Sequence, residues 1–286
     1  MNLTFLHVNY NNSTLTLNCI ESIFSAHRDP SIEIKIIIID NASISEEIEL
    51  LKNWKQKQQL NSPVIFRFLN TNLGYFKAFN IGFELLSEED KKSYIIIGNN
   101  DLKFDKDFIN ILRSKQFKSD VFVIAPNIIN NQGLHQNPHL IKKLSRVRLL
   151  YYKLYYLHYT LAIMLNIIAM IFPYRSEKKN KLGFEQSRYI TMGFGACYIL
   201  TPRFFTVFQS LDDYLFLMGE EGMLANQILK VGGRTYYDNS LIVFHDDHAS
   251  FKKIPSQRIY EYNRESFYLT KKHYKPSELI DLQIID

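Results

Sequence analysis

Four short stretches carry side chains able to do chemistry, and each directly follows an apolar run. IIIGNND (95–101) ends in Asn99, Asn100 and Asp101. These offer hard oxygen donors of the kind Mg²⁺ or Mn²⁺ takes, though the same residues also make a serviceable turn. IIIIDNAS (36–43) delivers Asp40 and Asn41, which can meet a nucleobase edge or form an Asx turn with a helix cap. FLMGEE (216–221) sets Glu220 and Glu221 at the start of a helix. Either carboxylate can serve as a general base, and an acidic first turn also suits the helix dipole. VFHDDHAS (243–250) places His245, Asp246, Asp247 and His248 just behind a strand, as a polar loop or part of a cation site, without a convincing zinc ligand set. Asn72 and Gly74 precede a further helix on which Lys77 and Asn80 lie one turn apart. Lys77 can meet a diphosphate there or remain solvated.

Several function classes are disfavoured. No GxGxxG follows a strand and no GxxxxGK[ST] occurs, so dinucleotide and P-loop readings lack their phosphate cradles. GFGA (193–196) precedes a strand where a phosphate loop precedes a helix. No basic block, helix-turn-helix or zinc-finger spacing points to nucleic acid. The net charge of +5 and pI near 8.9 suit an anionic ligand or membrane surface. Cys19 and Cys197 sit in apolar segments and read as reduced core thiols of a reducing compartment. MNLTFLHVNY reads as a first strand rather than a signal peptide, so a cytoplasmic location is expected.

The elements that must position these residues alternate. Strands are expected at 3–10, 33–40, 64–69, 93–98 and 121–125. Helices are expected from Ser13 and Thr14 to about Ala26, after a Ser43–Glu46 capping box, over 74–86 and over 105–115. Near-continuous apolar strands alternating with helices imply a parallel sheet covered on both faces, with ligands at the carboxyl ends of the strands. Asp40 and Asp101 stand at two such ends. After a lapse between about 130 and 190, a strand is expected at 195–201, a short helix from Pro202 and a helix over 220–230. Strands at 234–238 and 241–245 follow, then a basic, tyrosine-rich helical tail at 256–274.

Residues 154–172 carry no charged side chain apart from a protonatable His158, and nineteen such residues could just span a bilayer. Basic residues flank both ends, with Lys142, Lys143, Arg146, Arg148 and Lys153 before and Arg175, Lys178, Lys179 and Lys181 after. They set no orientation, and a span would split the α/β body across the membrane. A helix or helical hairpin lying on the membrane fits better. Burial against the body, or in a homodimer interface, is the alternative.

Together, VNYNN (8–12, with Asn9), IIIIDNAS, NLGYFKAFNIGF (72–83), IIIGNND, GACYIL (195–200), FLMGEE and VFHDDHAS resemble, in order, family 2 of the glycosyltransferases. Within it the chain looks most like bacterial rhamnosyltransferase-like and other O-antigen and capsule sugar transferases. The resemblance implies an α/β GT-A fold, a Rossmann-like mixed, mainly parallel sheet covered by helices, with a helical apolar insertion. Residues 1–130 would form the nucleotide-sugar-binding half and 131–190 the membrane-associated insertion. Residues 191–255 would form the acceptor and catalytic half, and 256–286 the basic C-terminal helix. It further implies inverting transfer from a nucleoside diphosphate sugar, usually with Mg²⁺ or Mn²⁺, to a lipid-linked saccharide at the anionic inner membrane surface. Carried over, Asp40 recognises the base and Asn99 and Asp101 end a DxD-like motif. Glu221, with Glu220 as the other candidate, becomes the base, and His245 can join Asp101 and Asn99 at the metal. Asn9, Asn41, Asn72, Gly74, Lys77, Asn80 and Asn100 fall in the donor motifs. Two departures stand out: Asn99 replaces a frequent aspartate with a neutral amide, which holds a cation less strongly, and Glu221 replaces another. The rival reading is a non-catalytic nucleotide-sugar-binding or scaffolding subunit.

Overall fold

The computed structural model describes residues 2–58, 62–142, 144–171, 183–247 and 256–270. Lys143, the basic residues at 175–181, His248 and the tail beyond 270 lie outside the described residues. The first half runs β1 (Asn2–Asn9), α1 (Ser13–Ala26), β2 (Glu33–Asp40), α2 (Ser45–Gln56), β3 (Val64–Phe68), α3 (Tyr75–Phe83), α4 (Glu88–Lys91), β4 (Tyr94–Asn99), β5 (Leu102–Phe104), α5 (Phe108–Ser114) and β6 (Val121–Asn130). The second runs α6 (Arg146–Tyr155), α7 (Tyr159–Ile171), β7 (Arg188–Ile190), β8 (Cys197–Leu200), α8 (Pro202–Phe205), α9 (Glu220–Leu229), β9 (Arg234–His245) and α10 (Gln257–Thr270).

The isoleucine runs become the centre of one sheet, ordered β3-β2-β1-β4-β8-β6-β9-β5, with β7 on β9. β1 lies parallel to β2 and β4, β2 to β3, and β6 to β9, whereas β8, β7 and β5 pair antiparallel to their neighbours. The sheet is therefore mixed and mainly parallel, with helices on both faces. Alternate side chains go to opposite faces: Ile36, Ile38 and Ile96 join one core with Phe5 and α1 residues, while Ile37, Ile39, Ile95 and Ile97 join the other with Phe76 and Phe79. Each fully buried isoleucine contributes roughly 1.5–3 kcal/mol relative to an exposed one. This two-sided burial is why these strands read as unbroken apolar runs.

Three local expectations change. No capping box forms at Ser43–Glu46; the N-cap of α2 is Ile44, and Ser43 Oγ accepts from Asn9 and the Asn11 amide instead. Ser13 does not cap α1, because its hydroxyl donates to Glu47 O while Glu47 Oε2 accepts the Ser13 amide. The two strands expected at 234–238 and 241–245 are the single strand β9, whose register against β6 jumps between Pro126↔Asp238 and Asn127↔Ile242. That irregularity leaves polar Asn239 and Ser240 inside the strand, where they resemble a turn.

The segment between β6 and β7 contains the α6–α7 hairpin. It packs on α10 through tyrosines, with Tyr156 and Phe267 rings 5.1 Å apart and Tyr159 and Tyr260 rings 5.2 Å apart. Among the described residues no helix is long and apolar enough to cross a membrane.

Candidate active site

The carboxyl ends of β1, β2 and β4 converge, as a parallel sheet requires, and their polar residues bond to one another. Asn9 Nδ2 donates to Asp40 Oδ2 at 2.7 Å, and the Ser43 amide donates to Asp40 Oδ1 at 3.0 Å. Asn100 Nδ2 donates to Asn9 Oδ1 at 3.1 Å and to Thr16 Oγ1 at 2.9 Å. Asn41 clamps the turn before α3, giving Nδ2 to Asn72 Oδ1 and to Gly74 O and taking the Leu73 amide. Asn9, Asp40 and Asn41 are buried in this network. Buried polar groups need such partners, and these make the strand ends rigid.

Gly74 shows why a glycine begins α3. Its φ is +86°, and a Cβ there would lie 2.2 Å from Phe216 O. The turn before α3 thereby docks on the loop before α9. Lys77 is exposed, and Asn80 turns to the loop at 211–213, bonding Leu211 O at 2.9 Å and Asp213 at 3.0 Å. Neither lines the cavity described next.

β4 stops at Asn99, the chain turns through Asn100 and Asp101, and β5 leaves toward β9. His7 holds this end, with Nδ1 2.8 Å from Asn99 O and 3.1 Å from Gly98 O. Burial depresses its pKa to about 4, so the ring is neutral. The turn brings Asn99 and Asp101 to His245, which ends β9. Together with Glu220 and Glu221 they line one cavity of about 240 Å³, which Tyr75, Phe194 and Leu217 also border.

A directed hydrogen-bond chain crosses the cavity wall. The Tyr75 hydroxyl donates to Asn99 Oδ1 at 2.6 Å, and burial, with the Glu220 carboxylate nearby, raises that phenol well above its ordinary pKa. Asn99 Nδ2 lies 3.3 Å from His245 Nε2. His245 Nδ1 lies 2.8 Å from Gln136 Oε1, an oxygen that only accepts, so Nδ1 carries the hydrogen. Nε2 faces Asn99 Nδ2 and Asp101 Oδ1, each 3.3 Å away. That distance suits an ion pair, yet among the described residues Asp101 Oδ1 is buried without a hydrogen-bond partner.

Two of these groups, Asp101 and His245, could serve a divalent cation. A buried carboxylate oxygen 3.3 Å from an imidazole nitrogen calls for positive charge there, from a proton on Nε2 or from a cation. Among the described residues no group of three or more His, Cys, Asp or Glu could hold an ion. Oxygens of a bound ligand and water would have to complete the shell, which is how Mg²⁺ is commonly held. The Asn99 oxygen is already committed to Tyr75, so Asp101 and His245 are the two protein donors in this arrangement.

The opposite lining begins at Gly219, whose φ of +99° lets the chain enter α9. Glu220 Oε1 folds back to accept the Met218 amide at 3.0 Å, while Glu221 Oε1 accepts the Gly195 amide at 3.2 Å. Burial, reinforced by the Glu221 charge, pushes Glu220 up to about 7. The 193–196 loop is held from beneath, where fully buried Asn137 takes the Phe194 amide at 2.8 Å and donates to Pro126 O at 2.8 Å.

A mainly parallel sheet whose strand ends and one helix start converge on an acidic cavity is the GT-A architecture. Residues 5–182, more than half of the chain, match Glycosyl transferase family 2, and the chain belongs to that family. No curated protein matches the sequence. Among solved structures it is similar to S. aureus TarS 1–349 in complex with UDP-GlcNAc, with TM-score 0.58 and 11% identity over 98% of this chain and 68% of that one. GalNAc-T7 with UDP, GalNAc and Mn²⁺ gives 0.56 and 14% over 87% and 44%. The mannosyltransferase PcManGT from Pyrobaculum calidifontis with GDP-Man and Mn²⁺ gives 0.54 and 10% over 95% and 62%. Such identities speak to fold, and the chain spans 37% of the longer TarS structure.

Asn99, Asp101, Glu220, Glu221 and His245 thus share one cavity, whereas Asn9, Asp40, Asn41, Asn72, Gly74 and Asn100 belong to the supporting strand-end network. Tyr75, Gln136, Asn137 and Gly195 join the site without having been singled out by sequence reasoning. Gly195 has a trace there in GFGA and Tyr75 in NLGYFKAFNIGF; a Cβ at Gly195 would sit 2.8 Å from Glu221 Oε1.

Proposed function

We propose that this chain is an inverting glycosyltransferase. It moves a sugar, hexosyl or rhamnosyl, from a UDP- or dTDP-sugar to a hydroxyl of a lipid-linked oligosaccharide in O-antigen or capsule synthesis. It works as a peripheral protein on the inner face of the cell membrane. The observation that carries the reading is the meeting of Asp101 and His245 with Glu220 and Glu221 in one cavity, from positions far apart in sequence. Inversion is a single in-line displacement: the acceptor oxygen bonds the anomeric carbon as its bond to the diphosphate breaks. The acceptor proton passes to a carboxylate. Glu221 is assigned that role because Gly195 N–H orients its Oε1, while Glu220 is turned back onto its own helix start. Asp101 and His245 would hold Mg²⁺ or Mn²⁺, which neutralises charge on the leaving diphosphate when bound. Nucleotide-bound neighbours support a nucleotide-sugar donor for this fold.

Calorimetric titration with UDP, dTDP and GDP, each with and without Mn²⁺, tests the reading. One nucleotide should bind tightly, and binding should strengthen with the metal. Absence of binding by all three would overturn it. A non-catalytic, sugar-nucleotide-binding role would show as binding that survives with no transfer to any lipid-linked acceptor.

A further inference from the structure

Both helices of the hairpin leave an apolar stripe to solvent. On α6 it is Val147, Leu150 and Leu154, and on α7 Met164, Ile167 and Ile171, each spaced i, i+3, i+7 along one helix face. Val147 is 78% exposed and Ile171 64%. Ten of the 21 exposed large hydrophobic side chains among the described residues fall between 147 and 171, in about a tenth of the chain. Apolar surface concentrated in this way marks an interaction site.

The other face of α6 is already occupied. Tyr260 donates its hydroxyl to Tyr155 O at 3.2 Å, and Arg264 Nε donates to Tyr156 O at 2.9 Å. These bonds and the tyrosine contacts anchor the hairpin on α10.

Charge selects the occupant. No Asp or Glu occurs from Val121 to Ser176, while Arg146, Arg148 and Lys153 are exposed on α6. Two copies of this face would oppose like charges, whereas an anionic lipid surface would meet them with opposite ones. At 1.5 Å per residue α7 is about 20 Å long, short of the ~30 Å hydrocarbon core. A described helix of that length suits the interface.

We infer that the α6–α7 hairpin docks the chain on an anionic bilayer, with its two apolar stripes in the acyl boundary and its arginines and lysine among the headgroups. This deepens, and rests on, the reading of a lipid-linked acceptor. α10 ties the lipid surface to the cavity. Its Ser266 and Thr270 pack on Gly219 and Gly222 at the start of α9, and its Tyr262 meets Phe216, next to the cavity-lining Leu217.

The test floats the full chain with phosphatidylcholine vesicles, with or without phosphatidylglycerol. The chain should rise with the anionic vesicles and bind neutral ones at least about tenfold less. Leu150→Glu with Ile167→Glu should abolish flotation. Arg146→Gln, Arg148→Gln and Lys153→Gln together, which spare the apolar stripes, should weaken it about tenfold or more. A chain that stays at the bottom with anionic vesicles overturns the inference. So does a sedimentation dimer that the two glutamates dissolve while vesicle binding is unchanged. Nucleotide titration of the same preparations confirms folding and keeps the two readings apart. Nucleotide binding without flotation overturns docking alone; flotation without nucleotide binding overturns the donor reading and leaves docking standing.

Discussion

Gln136 Oε1 accepts the Nδ1 hydrogen of His245 at 2.8 Å, across 109 residues of chain. The bond places a hydrogen on Nδ1 and turns Nε2 toward Asp101. Outer partners of this kind raise ligand basicity and hold ring orientation. Gln136→Leu should therefore weaken Mn²⁺-dependent nucleotide binding about 10–100-fold while leaving binding without metal unchanged. Calorimetry with and without Mn²⁺ separates the two, and an equal loss in both would mean that Gln136 acts only structurally.

Glu221→Gln keeps the acceptor for the Gly195 amide but removes the base. Transfer should fall about 10²–10⁴-fold with nucleotide affinity intact. Single-turnover rates beside calorimetric affinities check this, and a variant retaining most of its rate would hand the role to Glu220.

Glu220 makes stability depend on pH. Its folded pKa, about 7, stands above the ordinary 4.5, so the fold favours the neutral carboxyl. The stabilisation is complete below about 4.5 and is lost as pH rises through about 7. Glu220→Gln, which stays neutral and can still accept from Met218 N–H, should gain on the wild type across that window, by roughly 3 kcal/mol at its upper end. Urea midpoints at pH 5 and pH 8 measure it, and parallel shifts at both would refute the assignment.

Gly219 is where α10 meets the start of α9. Its φ is +99°, and a Cβ added there would lie only 1.8 Å from Ser266 Oγ, so Gly219→Ala strains the backbone and overpacks the contact. A loss of roughly 2–4 kcal/mol is expected. Ser266→Gly should restore the packing part and leave the strain of about 1–2 kcal/mol. Thermal unfolding of both single variants and the double decides; simple additivity would deny the contact.

Much of this is legible in the residues alone. EIKIIIID and SYIIIG announce two-sided strands because both faces of a parallel sheet are apolar. Glu220 and Glu221 announce a helix start because acidic residues favour it, and 154–172 announces an apolar helical stretch by composition. Composition leaves a single helix and a hairpin both open there, and the chain takes the hairpin at the polar break near His158. The spacing of Ser43 and Glu46 suggests a capping box that does not form, because local spacing cannot reveal that Asn9 and Asn11, from another element, compete for the Ser43 hydroxyl.

What the sequence determined by itself was periodicity, and therefore which residues end strands and begin helices. Tertiary structure decided which of those ends meet. His245 reaches Asp101 only because β5 pairs with β9 after the Asn100–Asp101 reversal, and Glu221 meets Gly195 only because glycine admits the approach. Gln136 and Asn137 carry no local signal, since a hydrogen bond between residues 57 to 109 positions apart is set by sheet order and not by the pattern of neighbours.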